Sequence, residues 1–395
     1  MKNIYQHRHE YRASRRSSVV FMAVSFLITG VMISNAVQAI PAFARKYQAE
    51  CSSCHSAWPA LNATGRKFKE NGYRLTRDEK PGFMNWDQTL PVAAMIKARP
   101  YQNSDKGERK TRALNEVELM AAGAMANDLS GWFELEAEDD TGFNAEVKSA
   151  ALGYHPSAAA NLRFSWGALL GSDPYDVYSD SRRLSSNRAS VYGQPFGGAD
   201  AGGRLRDSRQ NISLYGRPIE RLFYSVIYSG VAGDNEGEGS SALSGRLAVD
   251  VSPNTMIGLT VIHGRCMETN TNCSVEMDFT RNGIDAQADI GNIRLMGALL
   301  RASDDNGTPV ADDNTAAYIE ARYTFMDQGS PSFVPLLRLD SYEKNNGRDN
   351  YDEVTAQLAY YLAENARGSI EYWRVNGPTS ATDDSTVTLQ VEVGF

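Results

Sequence analysis

Hydrophobic and polar side chains alternate with a period of two along most of this chain, from about residue 90 to the C-terminus. The last run is the clearest: Val387, Leu389, Val391, Val393 and Phe395 interleave with Thr388, Gln390 and Glu392. Successive side chains of a strand point to opposite faces, so the run predicts a strand with one apolar and one polar face. Leu243, Leu247, Val249 and Val251 oppose Ser244, Arg246 and Asp250 in the same way. So do Ile319, Ala321, Tyr323 and Phe325 against Glu320, Arg322 and Thr324. Val354, Ala356, Leu358, Tyr360 and Leu362 alternate with Glu353, Thr355 and Gln357.

Sixteen candidate strands emerge: 90–101, 111–125, 131–138, 145–154, 159–170, 209–217, 221–231, 241–252, 255–263, 273–289, 293–302, 315–326, 332–343, 352–363, 367–375 and 385–395. A soluble sandwich would alternate too, and the connections decide between the two. Tight ones (Ala126 to Ser130, Pro218 to Glu220, Pro253-Asn254, Glu364 to Ala366) take turns with long polar ones. The long ones include Gly171 to Ser208, Gly233 to Ser240, Ser303 to Asn314 and Lys344 to Tyr351. Short turns at one end, long loops at the other and an even strand count predict an all-β fold. It is a transmembrane antiparallel β-barrel of 16 strands, within a range of 14–18, over residues 88–395. Its lumen is the natural dock for a short N-terminal α-helical segment.

The first 39 residues read as a cleavable signal peptide. Lys2, Arg8, Arg12, Arg15 and Arg16 precede an apolar run from Val19 to Ile33, and Val37-Gln38-Ala39 suits cleavage. That run is shorter than the roughly 20 residues a spanning helix needs. Charge then divides the mature chain. Residues 40–80 carry eight cations and four anions, whereas 81–395 carry 27 and 43. Opposite fields favour docking of the small basic part on the large acidic one. The acidic barrel excludes nucleic acid as a partner. Segment 40–85 has too few apolar residues, Leu61 and Phe68 chief among them, to build a core alone.

That segment holds the one sharp chemical motif, Cys51-Ser52-Ser53-Cys54-His55. The spacing C-x-x-C-H is that of covalent c-type haem attachment, with two thiols for the vinyl groups and an adjoining His for the iron. A zinc site or a redox disulfide shares the sulfur spacing but does not need the His. Cys266 and Cys273 bracket six residues, and in an exported chain they are expected to form a disulfide.

Around the motif stand Ala42-Phe43-Ala44-Arg45-Lys46-Tyr47, Pro59-Ala60-Leu61-Asn62 and Gly65-Arg66-Lys67-Phe68-Lys69-Glu70-Asn71-Gly72-Tyr73. Together these resemble the monohaem cytochrome c fused to an outer-membrane porin that is found in iron-oxidising bacteria. The resemblance implies one covalent haem c on Cys51 and Cys54, with His55 as the proximal ligand of its iron. It implies extracellular Fe(II) as electron donor and a periplasmic cytochrome c or similar carrier as acceptor. The protein would then act as an Fe(II) oxidase in the bacterial outer membrane. Two other functions stay open: a conduit running outward to an extracellular acceptor, and a diffusion porin that the haem segment plugs.

The distal ligand is open between Met95, in register with Lys97 and Arg99 on the first strand, and Met84 on the linker. His155 and His263 are expected at a turn and at the outer rim. Glu116 and Glu118, with Glu134, Glu136 and Glu138, should share the lumen wall. There they would be a generic pore lining, a guide for Fe(II), or a holdfast for Lys67 and Lys69. The Gly171 to Ser208 loop, with Tyr175, Tyr178 and Tyr192, is expected as an ordinary exposed loop, or by position as one folded into the pore.

Overall fold

The alternating runs fold as antiparallel strands, each hydrogen-bonded to its sequence neighbours, and the last returns to the first. The computed structural model describes residues 42–79, 91–196, 200, 203–233, 236, 239–267, 276–307 and 310–395. The signal peptide, Met84 and Cys273 lie outside them.

An N-terminal segment comes first. It contains α1 (Ala42–Tyr47), the small hairpin β1 (His55–Ala57) and β2 (Ala60–Leu61), and α2 (Ala63–Glu70). The barrel begins with β3 (Val92–Ser104), β4 (Lys110–Ala126), β5 (Leu129–Glu138), β6 (Glu146–Tyr154) and β7 (Asn161–Gly167). A long loop containing α3 (Ser190–Gly193) leads to β8 (Arg209–Ile219), β9 (Leu222–Ser229), β10 (Ser241–Ser252) and β11 (Thr255–Cys266). Then come β12 (Met277–Ile290), β13 (Ile293–Asp304), β14 (Asp312–Tyr323) and β15 (Phe325–Asp327). The last four are β16 (Ser330–Lys344), β17 (Asp349–Ala363), β18 (Ala366–Asn376) and β19 (Asp384–Gly394). β14 and β15 both pair with β16 and form one strand interrupted at Thr324, so the closed barrel has sixteen strands.

Closure is made by β19 against β3, with Val393 opposite Ile96 and Gly394 opposite Met95. The terminal Phe395 completes the seam. Its N–H donates to the Ala94 carbonyl at 2.9 Å, and its own carbonyl accepts from the Ala94 N–H at 2.8 Å. Among the described residues the barrel sheet closes on itself without a free edge strand, which is the condition for strands in hydrocarbon.

The two faces differ as the period predicts. Leu243, Leu247 and Val249 of β10 are exposed, whereas Ser244, Arg246 and Ala248 between them are buried. Phe333 packs on Tyr360, and Tyr323 on Phe325, among exposed aromatics near the short turns. An apolar outer band edged by aromatic rings is the surface a lipid bilayer covers. Inside, ion pairs tie lumen-facing side chains together, along one strand, between adjacent strands and across an intervening strand. Arg246 grips Asp285 at 2.6 and 2.9 Å, Arg338 meets Asp340 at 2.7 Å, and Arg367 meets Glu392 at 2.6 Å. The N-terminal segment and the barrel belong to one compact unit, Ile40–Phe395.

Candidate functional site

The Cys51–His55 stretch is held by its own neighbours before the barrel touches it. Cys51–Ser53 is a single 3-10 turn. Asn62 caps α2 by accepting from the Gly65 N–H at 3.0 Å, and its amide donates to the Ser52 and Ser53 carbonyls at 3.1 Å each. Asn62 N–H also donates to the Cys54 carbonyl at 2.9 Å. That carbonyl lies 2.2 Å from where a Cβ on residue 65 would stand, so only glycine lets α2 approach. Phe43, Tyr47, Phe68 and Tyr73 add a small aromatic core, with ring centroids 4.9 to 6.1 Å apart.

Both thiols are free and half-buried. Burial, and then the Glu364 carboxylate, push the Cys51 thiol up to about 11, and burial raises Cys54 as well. Burial lowers His55, so its imidazole is neutral at pH 7. His55 Nδ1 lies 3.0 Å from the Pro59 carbonyl oxygen. A carbonyl only accepts, so Nδ1 carries the proton and Nε2 keeps its lone pair. A metal-ligating histidine is oriented in this way. Two free thiols and an imidazole with Nε2 presented fit the donor set of a covalent haem.

The barrel holds this segment as a plug at its short-turn end. Glu364, in the turn between β17 and β18, accepts from the Cys51 N–H at 2.7 Å. Arg294 donates to the Leu61 carbonyl at 2.8 Å, and Tyr361 to the Trp58 carbonyl at 2.6 Å. Arg66 pairs with Asp289 at 3.4 Å and Arg74 with Asp128 at 3.3 Å. Arg217 of β8 clasps Glu70 at 2.7 and 3.0 Å. Tyr73 stacks on Trp132 of the wall, 6.1 Å between centroids. Attraction between a basic plug and an acidic barrel thus resolves into particular pairs, one of them with the signs reversed.

The loop 168–208 is not an ordinary exposed loop. Its described residues fold into the lumen, and Tyr175, Tyr178 and Tyr192 are all buried. Ser186 and Asn187 N–H groups donate to Glu371 at 2.6 and 2.9 Å, and the Ser190 N–H to Asp340 at 2.7 Å. Asp176 stands among Arg182, Arg294 and Arg322. Burial alone would raise its carboxyl, but Arg294, Arg182 and Arg322 together hold it below the ordinary range.

The five glutamates line the lumen wall, with Glu116 opposite Glu138 and Glu118 opposite Glu136. Glu116, Glu118 and Glu136 bring carboxylate oxygens within 4.8 Å of one another. They do not hold the plug. Lys97 takes Glu116 and Glu118 at 2.6 and 2.7 Å, and Lys148 takes Glu136 at 2.9 Å. Lys69 instead donates to the Asp173 carbonyl at 2.7 Å, and Lys67 faces solvent. Beside Glu136 and Glu138 a cavity of about 240 Å³ is also lined by Glu146, Lys148 and Arg206.

Met95 pairs with Glu118, whose side chain is buried on the lumen side, so Met95 faces the lumen as well. On its other flank is Gly394, where a Cβ would come within 3.2 Å of the Trp58 ring. Met95 therefore lies beside the plug. His155 sits in the turn after β6, and His263 lies near the long-loop end of β11 and points outward. Cys266, at the end of β11, is disulfide-bonded. Arg217, Arg294 and Glu364, which hold the plug, carried no local sequence signal. Each is an ordinary strand or turn residue until the chain closes on itself.

No family model matches this sequence, and no curated protein matches it. Solved structures do match the fold. The anion-selective porin from Comamonas acidovorans matches with a TM-score of 0.59 at 14% identity, over 77% of this chain and 98% of its own. OmpF of Salmonella typhi, in complex with daunomycin, gives 0.57 at 12%, over 78% and 98%. The outer-membrane channel DcaP of Acinetobacter baumannii gives 0.54 at 10%, over 77% and 95%. The barrel has the fold of the outer-membrane porins, here with a plug at its short-turn end.

Proposed function

We propose that this chain is an outer-membrane electron conduit, exported by residues 1–39. It takes electrons from extracellular Fe(II) through one haem c on Cys51 and Cys54 to a periplasmic cytochrome c or similar carrier. The observation that carries the reading is the contact of His55 Nδ1 with the Pro59 carbonyl, which puts the proton on Nδ1 and keeps the Nε2 lone pair for a metal, in the same short motif as two thiols outside any disulfide. When bound, the haem supplies a one-electron carrier whose potential follows its axial ligands. His55 would ligate the iron from one side, with Met95 a candidate on the other. Asn62, Gly65 and Glu364 hold the thiol-bearing turn in place.

The test uses the full chain, produced in a host that exports it and attaches haem. Haem should stay bound after denaturation and extraction, C51S/C54S should lose it, and Fe(II) should reduce the ferric form. Absence of covalent haem, or no reduction by Fe(II), overturns the reading. A strongly negative midpoint potential would reverse the direction of flow. The porin fold supports a second reading, a diffusion channel gated by the plug. Passage of small solutes through the intact chain in liposomes would favour it.

A further inference from the structure

Plug, loop and wall meet around a small, partly open cavity that the electron-transfer reading does not use. It measures about 10 Å³, room for one water-sized occupant. Its lining includes Lys69 and Tyr73 from the plug, Ser172 from the loop, and His155, Arg163 and Tyr215 from the barrel. Two lining residues are cationic, and no lining residue is Asp or Glu.

Among the described residues, Arg163 Nε of this lining is a buried N–H donor with no hydrogen-bond partner. His155 is 3% exposed, and its Nε2 already meets Ser130 Oγ at 2.7 Å. Arg163 spends one terminal nitrogen on the Gly171 carbonyl at 3.0 Å. Leaving buried donors unmade is costly, so an acceptor is expected there. A water would bring two protons that need acceptors of their own, whereas a halide only accepts.

We propose that this cavity is a binding site for a single monatomic anion, chloride in a natural setting, held between Lys69 of the plug and Arg163 of the wall. The anion fastens the plug to β7 and to the base of the loop at once. The Lys69 ammonium sits well below its ordinary value, through burial first and then Arg182 and Arg163, as expected where positive charge lacks a counterion. The site is independent of haem and of the direction of electron flow.

Crystals of the full chain soaked in sodium bromide should show an anomalous peak between Lys69 and Arg163. The unfolding temperature in detergent should rise saturably with chloride over gluconate at equal ionic strength. Lys69→Met should weaken the apparent chloride affinity about tenfold, the loss of one charged contact, while Lys67→Met should leave it unchanged. Should Lys69→Met not fold, Arg163→Gln serves in its place. An empty or water-filled cavity in bromide, or the same chloride response in wild type and variant, overturns the proposal.

Discussion

Arg217, on the wall of the barrel, holds Glu70, at the end of α2, through two hydrogen bonds of 2.7 and 3.0 Å. The same guanidinium reaches Asp250 at 2.7 Å and the Tyr175 hydroxyl at 2.9 Å. One side chain thus ties plug, wall and loop together. Removing one partner of a buried pair leaves the others uncompensated, a cost of about 3 kcal/mol. Arg217→Ala should therefore loosen the plug while the barrel still folds. Limited proteolysis should then cut within residues 42–79 under conditions that spare the wild type.

Plug and loop both occupy the lumen, so conductance should be low in the intact chain. Deleting residues 42–79 should raise single-channel conductance in planar bilayers, while the loop still limits it. Equal conductance with and without the segment would mean that it does not obstruct the pore.

His155 is buried at the plug contact, and burial, then Arg74 and Arg77, bring its pKa down to about 4. The folded state keeps it neutral, whereas the unfolded chain takes up a proton near pH 6.5. Between those values the unfolded state binds more protons, so stability falls as pH drops from about 6.5 to about 4. A shift of that size corresponds to something on the order of 3 kcal/mol. His155→Gln should flatten this part of the stability profile, measured as unfolding temperature against pH.

Asp176 titrates with the opposite chemistry. Its folded value lies below the ordinary one, so its contribution is present above about pH 4 and is lost as pH falls further. The arginines around it would then repel one another, and the loop should detach from the wall in acid. Asp176→Asn should show that detachment already at neutral pH, read as faster amide exchange over residues 168–208.

Phe395 closes the barrel through both of its backbone groups on Ala94. Deleting it removes two of the hydrogen bonds that bring β19 to β3. Folded yield should drop, seen as loss of the heat-modifiable band on a semi-native gel. Phe395→Leu, which keeps the backbone, should fold better than the deletion.

All sixteen strands were legible in the sequence, because a strand at a water–lipid boundary must alternate and the alternation is local. The interruption at Thr324 was not, since Tyr323 and Phe325 continue the apolar pattern across it. The Cys51–His55 motif is local too, a run of five residues whose first three form one 3-10 turn.

Other features depended on partners far along the chain. Ser190 reaches Asp340 and Cys51 reaches Glu364, so neither the inward fold of the loop nor the seat of the plug could be read from a neighbourhood of residues. The carboxylate wall makes the same point. Its position followed from periodicity, but its neutralisation by Lys97 rather than by Lys67 or Lys69 followed from the register of β3 on β4. By itself the sequence determined which residues form strands, which face each side chain takes, and which segment carries two thiols and a histidine. Only the tertiary structure decided what fills the lumen, because a closed barrel brings together charges that the chain keeps more than a hundred residues apart.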